Sequence, residues 1–369
     1  MTSQRRVLVT PRDLNPYQTQ LYGTLAAEGW VVHYCEGLTR SQTLNVVAKP
    51  LMLVWHRVQG FRLLHVHWIY DFAVPWAQSS LIAARALQLW FRLYLATARL
   101  LGIKVVWTAH NVLPHAKVFH NDRVARQHLV AEAEAVIALS ESSIPALTAL
   151  GARNVRVIPF GSYRQIPASP DEVASDRTAS ARQALRLDAT DFVAVFVGRI
   201  EPYKGVEQLV RSIVRIDTTR KVRLLVGGEC KSAQLRSSIE ASAGTDARVR
   251  LQLEWLTDAD VSLYLDAADV AIFPFECVTN SSSIALALCH GVPVIAPRFA
   301  ALHHIPESCG NWYQPDDPNG LDGALSQTLN LTHEQRAAQR NEALRYTESF
   351  DWQAVGQATE RLYDEVLSR

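Results

Sequence analysis

The chain has 369 residues, enough for two α/β domains of the roughly 100 to 200 residues in which a single core is comfortably buried. Its 37 basic and 36 acidic side chains nearly cancel, which excludes the broad positive field that draws in nucleic acid. The five cysteines (Cys35, Cys230, Cys277, Cys289, Cys309) include no CxxC pair and no zinc-site spacing with histidine, so neither a disulfide framework nor a structural metal is readable and a reducing cytoplasm is expected.

From the N-terminus, residues 1–6 run straight into an apolar strand at 7–9 without the hydrophobic core of a signal peptide. Short β-branched runs then recur at 31–34, 63–67, 105–108, 135–139 and 155–158, with helical stretches between them, the pattern of a parallel doubly wound sheet. The most apolar helical stretch, 80–101, is interrupted by Arg85, Arg92 and Arg99, so it does not read as a transmembrane span. Their seven-residue spacing makes a cationic stripe beside Trp90, Phe91 and Tyr94. Such a helix either lies in a membrane interface or packs on the sheet with its arginines snorkelling outward.

A polar segment at 165–190, with a helix at 178–186, marks the boundary. The first domain is placed at 1–165, the second at 166–345 and a C-terminal helical segment at 346–369. The second series of strands is expected at 192–197, 222–226, 249–253, 270–273 and 292–295. The stretch 332–369 is helical in pattern, with Trp352, Val355, Leu362, Tyr363 and Val366 on one face, and is expected to pack back across both domains. Ligands of open α/β sheets bind at the carboxyl ends of the strands, so the chemistry is sought in the loops that follow them.

At 197–205 an apolar strand ends in Gly198 and is followed by Arg199 and Lys204. Two cations converging at a strand end hold a diphosphate well, Arg by forked hydrogen bonds and Lys as a point charge, although a solvated loop accounts for them too. At 273–295 a strand leads through a small-residue loop into an apolar helix closed by Gly291. The first amides of that helix, at Ser281, Ser282 and Ser283, would form an anion site, or Ser281 is an ordinary N-cap. His110 follows a strand directly, which aims its imidazole at a bound sugar or an acceptor hydroxyl. His65 and His67 share a strand face as a metal pair would, but no third ligand is visible. Asp71 is the carboxylate nearest that strand end and would serve as base in an inverting reaction, or as a cap; Asp13 competes with it.

Between Gly198 and Pro297 the chain carries "GR(x4)KG", "ADVxxxPF" and "GxPVIAP". It thereby resembles the nucleotide-sugar-binding domain of GT-B glycosyltransferases, especially the group that includes family 4. The resemblance implies two Rossmann-like doubly wound domains facing an interdomain cleft. By the same resemblance Arg199 and Lys204 grip the donor diphosphate and Ser281 to Ser283 offer it backbone amides. The two glutamates usual in the family fall here at Val278 and Leu286; Glu276, two residues before the first, is expected to stand in for it on the donor side if the loop differs, and the ribose contact of the second is missing. The N-terminal half resembles bacterial exopolysaccharide enzymes through Asn15-Pro16-Tyr17, the run from Leu64 to Trp68 that holds His67, and the run from Trp107 to His115 that holds His110 and Asn111. Asn15, Tyr17, His67, Asn111 and His115 are therefore expected on the acceptor side. Some of those enzymes use GDP-mannose.

The expected activity is transfer of a hexose, mannose in some members of that subgroup, from a GDP- or UDP-linked donor to a lipid-linked carbohydrate. No metal or other cofactor is expected, and Asp258-Ala259-Asp260 reads as a helix start. The setting is cytoplasmic, peripheral on the inner face of the membrane. A nucleotide-sugar epimerase on the same plan and a non-catalytic partner subunit, the latter suggested by Leu286, are the alternatives.

Overall fold

The computed structural model describes residues 5–13, 16–35, 37–74, 77, 80–114, 117–162, 174–278 and 281–369. They form two compact units, Met1–Gly161 with Phe350–Arg369, and Ser162–Ser349.

Among the described residues the first unit holds a six-stranded parallel sheet: β1 (Arg6–Thr10), β2 (Val31–Tyr34), β3 (Leu63–Val66), β4 (Lys104–Ala109), β5 (Ala133–Ala138) and β6 (Val155–Val157), in the order β2-β1-β3-β4-β5-β6. β3 is buried throughout, as a parallel strand covered on both faces must be. Between the strands run α1 (Pro16–Ala27), α2 (Gln42–Val58), α3 (Leu81–Leu100), α4 (Asp122–Glu132) and α5 (Ile144–Ala149). The starts of α2, α3 and α4 are set by Ser41, Ser80 and Asn121, whose side-chain oxygens accept from the N–H groups of Leu44, Ala83 and Val124. The chain moves one way from β1 to β2 and the other way from β2 onward. Right-handed crossovers therefore put α1 on one face of the sheet and α2, α3 and α4 on the other.

The second unit repeats the plan with β7 (Phe192–Val197), β8 (Val222–Gly227), β9 (Val249–Gln252), β10 (Val270–Ile272), β11 (Val294–Pro297) and β12 (Gly310–Tyr313), in the order β12-β11-β10-β7-β8-β9. β12 was not among the expected strands, because Gly310-Asn311-Trp312-Tyr313 has no β-branched residue to mark it. The helices are α6 (Ala174–Ala184), α7 (Val206–Arg215), α8 (Ala233–Ala243), α9 (Asp258–Ala267), α10 (Ser282–Cys289), α11 (Gly320–Asn330) and α12 (His333–Thr347). The DxD stretch opens α9 through a capping box between Thr257 and Asp260.

The helical pattern at 332–369 is two helices rather than one: α12, in the second unit, and α13 (Trp352–Ser368), in the first. Asp351 restarts the chain as N-cap by accepting from Gln353 and Ala354. α13 buries Val355, Leu362, Tyr363 and Val366 and packs on α1, where a Cβ on Gly356 would stand 2.5 Å from Thr24 Cγ2. Among the described residues no helix is long and apolar enough to cross a membrane. Each sheet has one place where its winding reverses, between β1 and β3 and between β7 and β10, and the loops after those strands diverge there into a crevice.

Candidate functional site

In the second unit the β7–β10 crevice collects the cationic loop and the start of α10. Gly198, at φ +130°, ends β7; a Cβ there would stand 2.9 Å from Ser283 Oγ, so the first turn of α10 lies against this strand end. Pro202–Lys204 forms a single 3-10 turn closed by Gly205 at φ +68°. A Cβ on Gly205 would sit 2.1 Å from Pro274 O, so only glycine lets this turn press against the loop after β10. The Glu276 N–H donates to Tyr203 O at 2.8 Å and ties the two loops together.

The cations themselves are uncommitted. Arg199 is exposed, Lys204 is half-buried with Nζ 4.5 Å from the Phe275 ring centroid, and neither forms an ion pair among the described residues. Burial pushes the Lys204 ammonium down to about 8, with Arg199 adding to the fall and Glu201 opposing it. Ser281 is indeed an N-cap, its Oγ accepting from Ile284 N at 3.1 Å. That bond uses the amide of Ile284 and leaves those of Ser282 and Ser283 with no acceptor among the described residues, so the cap and an anion site coexist. Glu276 is exposed in the same loop. Val278 and Leu286, where the resemblance would place glutamates, are instead apolar side chains packed against the core.

In the first unit the β1–β3 crevice is bordered by three imidazoles in a buried chain of hydrogen bonds. His65 Nε2 meets Thr108 Oγ1 at 2.7 Å, and its Nδ1 meets the hydroxyls of Tyr22, at 2.8 Å, and Tyr363. Tyr22 Oη also lies 2.6 Å from His67 Nε2, and His67 Nδ1 lies 3.0 Å from His110 Nε2. His110 is stacked on Trp68, with centroids 4.1 Å apart at 13°, and meets the edge of Tyr17 at 4.8 Å. Burial drives His65 and His110 down to about 3 and His67 well below its ordinary value, so all three are neutral at physiological pH. His65 and His67 thus spend ring nitrogens on hydroxyls and on His110, and among the described residues no three His, Cys, Asp or Glu side chains are placed to hold one metal ion.

Asp71 lies at the same crevice, but Lys49 Nζ is 2.5 Å from its Oδ2 and Thr10 Oγ1 donates to the same oxygen at 3.4 Å. Burial works against the Lys49 ammonium, and Asp71 together with Cys35 more than offsets it, leaving Lys49 above its ordinary value. Asp13, half-buried, accepts a hydrogen bond from the Tyr70 hydroxyl. Asn111 is half-buried beside His110 in sequence, whereas Tyr17 is fully buried and reaches a ligand only through the rings it supports. Asn15 and His115 lie outside the described residues. Sequence reasoning missed Tyr22, Tyr363, Thr108 and Lys49. The alternation of His65 and His67 signalled a shared face, but nothing local announced partners from α1, β4, α13 and α2.

The family model of the glycosyl transferases group 1 matches residues 191–330. Over 363 residues the chain is 27% identical to the GDP-mannose:glycolipid 4-beta-D-mannosyltransferase of Xanthomonas campestris pv. campestris, an alignment covering 96% of this chain and 89% of that protein. Among solved structures it is similar to the sucrose-phosphate synthase of Thermosynechococcus elongatus, with TM-score 0.76 and 19% identity over 99% of each chain. It is also similar to Anabaena HepE in complex with UDP and glucose, with TM-score 0.70 and 16% identity over 98% of this chain and 100% of that one. These structural likenesses show the GT-B fold.

Two outcomes follow from the first unit. An unfolded histidine titrates near 6.5 and these three fold as neutral groups. Stability is therefore full above about pH 6.5 and falls as pH drops toward 3, with a slope approaching three protons, measurable from denaturant midpoints. Asp71→Asn strands the buried Lys49 ammonium and is expected to cost about 3 kcal/mol of unfolding free energy while leaving nucleotide affinity unchanged.

Proposed function

We propose a substrate pair for this chain, which is a nucleotide-sugar-dependent hexosyltransferase of GT-B fold with a glycosyl transferases group 1 domain at 191–330: mannose moves from GDP-mannose to the saccharide of a lipid-linked acceptor. The observation that carries the reading is the pairing of two cations, Arg199 and Lys204, which form no ion pair among the described residues, with the first amides of α10, which find no acceptor among them. A nucleoside diphosphate supplies the missing negative charge. As the sugar leaves, that charge grows on the diphosphate. Forked donation from Arg199, the Lys204 charge and the helix amides then stabilise it without reorganising, so no metal or other cofactor is invoked. The choice of GDP-mannose and of a glycolipid acceptor is supported by the Xanthomonas relative. Such an acceptor places the enzyme at the cytoplasmic surface of a membrane as a peripheral protein.

The relative's name specifies a β-linked product. Formation of a β-linkage from an α-linked donor inverts the anomeric carbon, and the acceptor hydroxyl then loses its proton to a base. His110, held neutral by burial, serves in this reading as a hydrogen-bonding contact to the sugar or acceptor. Asp13 suits the base role better than Asp71, because Lys49 already neutralises Asp71.

The test incubates purified protein with GDP-mannose, other GDP-sugars and UDP-glucose together with bacterial lipid extract, and follows label transfer to lipid. Transfer is expected from GDP-mannose, with Arg199→Ala slowing it about 100-fold; transfer from a UDP-sugar alone would refute the donor assignment. The pH dependence of donor binding is a second check. A free Lys204 near 8 whose ammonium gains a diphosphate partner binds fully below that value and progressively less above it, and Lys204→Met should flatten this profile in a nucleotide titration.

A further inference from the structure

Two helices of the first unit keep an apolar face that the unit does not cover. α2 and α3 lie side by side on one face of the sheet, and the Trp90 indole N–H of α3 donates to Val46 O of α2 at 2.9 Å. Inward, α2 buries Val46, Met52 and Leu53, and α3 buries Leu87, Phe91 and Leu95. Outward, Leu44, Val47, Leu51 and Val58 follow one another at helical spacing along α2, as do Ile82, Leu89, Leu93 and Leu100 along α3. Leu51 is 73% exposed, Val58 80%, Ile82 81% and Leu100 81%. Of the sixteen exposed large apolar side chains among the described residues, eleven stand on these two helices. That is a concentrated patch, unlike the single scattered side chains normal on a protein surface.

Charge selects what covers it. The whole chain is nearly balanced, yet residues 37–121 contain nine lysines and arginines against a single acidic residue, Asp71, which Lys49 neutralises inside the unit. α2 and α3 contain no acidic side chain. Arg40, just before α2, and Arg85 and Arg92 on α3 are exposed and form no ion pair among the described residues, whereas Arg99 pairs with Glu132 at 2.9 Å. A second copy docking through the same face would set arginine against arginine with no carboxylate between them. An anionic bilayer satisfies both features: the acyl boundary takes the apolar stripe, headgroup phosphates take the guanidinium groups, and the arginine stems lie along the same stripe.

We propose that the outward face of α2 and α3 is a docking surface for an anionic lipid bilayer. It gives a location to the peripheral attachment that the proposed lipid-linked acceptor requires, and in that sense rests on that reading. Its vesicle-binding test needs neither donor nor acceptor, so the two fail separately.

Full-length protein is sedimented with vesicles of phosphatidylcholine alone and with vesicles containing phosphatidylglycerol. The expected result is partition to the anionic vesicles at least tenfold above the neutral ones. Leu51→Glu with Leu89→Glu should abolish it, and Arg85→Ala with Arg92→Ala should weaken it selectively on the anionic vesicles. Both substituted pairs are solvent-facing, and an unchanged thermal midpoint checks that the fold is kept. No partition of the wild type, or partition that survives both pairs of substitutions, would overturn the proposal. So would self-association of the wild type that Leu51→Glu with Leu89→Glu abolishes, since a second copy would then be the occupant. Transfer to a short water-soluble acceptor should proceed at the wild-type rate in the Glu variant. Loss of that transfer with vesicle binding intact would place these residues in the reaction machinery and count against a docking role.

Discussion

Parallel pairing throughout both sheets is the constraint from which the rest follows. A parallel strand cannot turn straight back to its neighbour, so each is followed by a crossover, and every loop after a strand emerges at the same edge of its sheet. Where the crossovers change direction, between β1 and β3 and between β7 and β10, no helix fills the space between diverging loops. Arg199, Lys204 and the first turn of α10 meet at one such place, and Asp13, Asp71 and the His67–His110 pair border the other. Residues far apart in the chain are thereby brought together.

The two crevices differ in how their charge is settled. In the first unit the ionisable groups at the crevice find partners within the protein: Asp71 with Lys49, and His65, His67 and His110 in a chain anchored by Tyr22, Thr108 and Tyr363. Burial leaves the imidazoles neutral, and a neutral ring fixed on both sides is a hydrogen-bonding group of set orientation. In the second unit Arg199 and Lys204 form no ion pair among the described residues, and burial lowers the Lys204 ammonium. Glu201 offsets that fall only in part, so the net cationic character of the loop suits an anionic ligand. Gly205 permits this arrangement, since any side chain would collide with Pro274 O and push the lysine turn away from the loop after β10.

The helices α2 and α3 show how one element serves two purposes. Their inner residues complete the core over β1, β3 and β4, and the same helical period leaves an outer stripe of apolar side chains with arginines among them. Of the two readings open for the 80–101 stretch, packing on the sheet is what Leu87, Phe91, Tyr94 and Leu95 do. The outer half of the helix remains uncommitted, and α2 doubles its extent.

What the sequence determined by itself was whatever is written in local pattern. The β-branched runs placed the strands from β1 to β11, and the cluster of Gly198, Arg199, Lys204 and Gly205 marked one crevice. Small residues before an apolar run marked the start of α10. β12, with no β-branched residue, was invisible, and the single helical pattern at 332–369 hid a break at which the chain passes from the second unit back to the first. Only the tertiary structure decided which partner each buried polar group takes. His65 lies 298 residues from Tyr363, and these two meet Tyr22 and Thr108 because four separate elements converge. Asp71, which looks in sequence like an available carboxylate, is held by Lys49 from the middle of α2. Strand and helix periods are set by neighbours in the chain, whereas proton affinity and availability are set by burial and by whatever charge folding brings alongside.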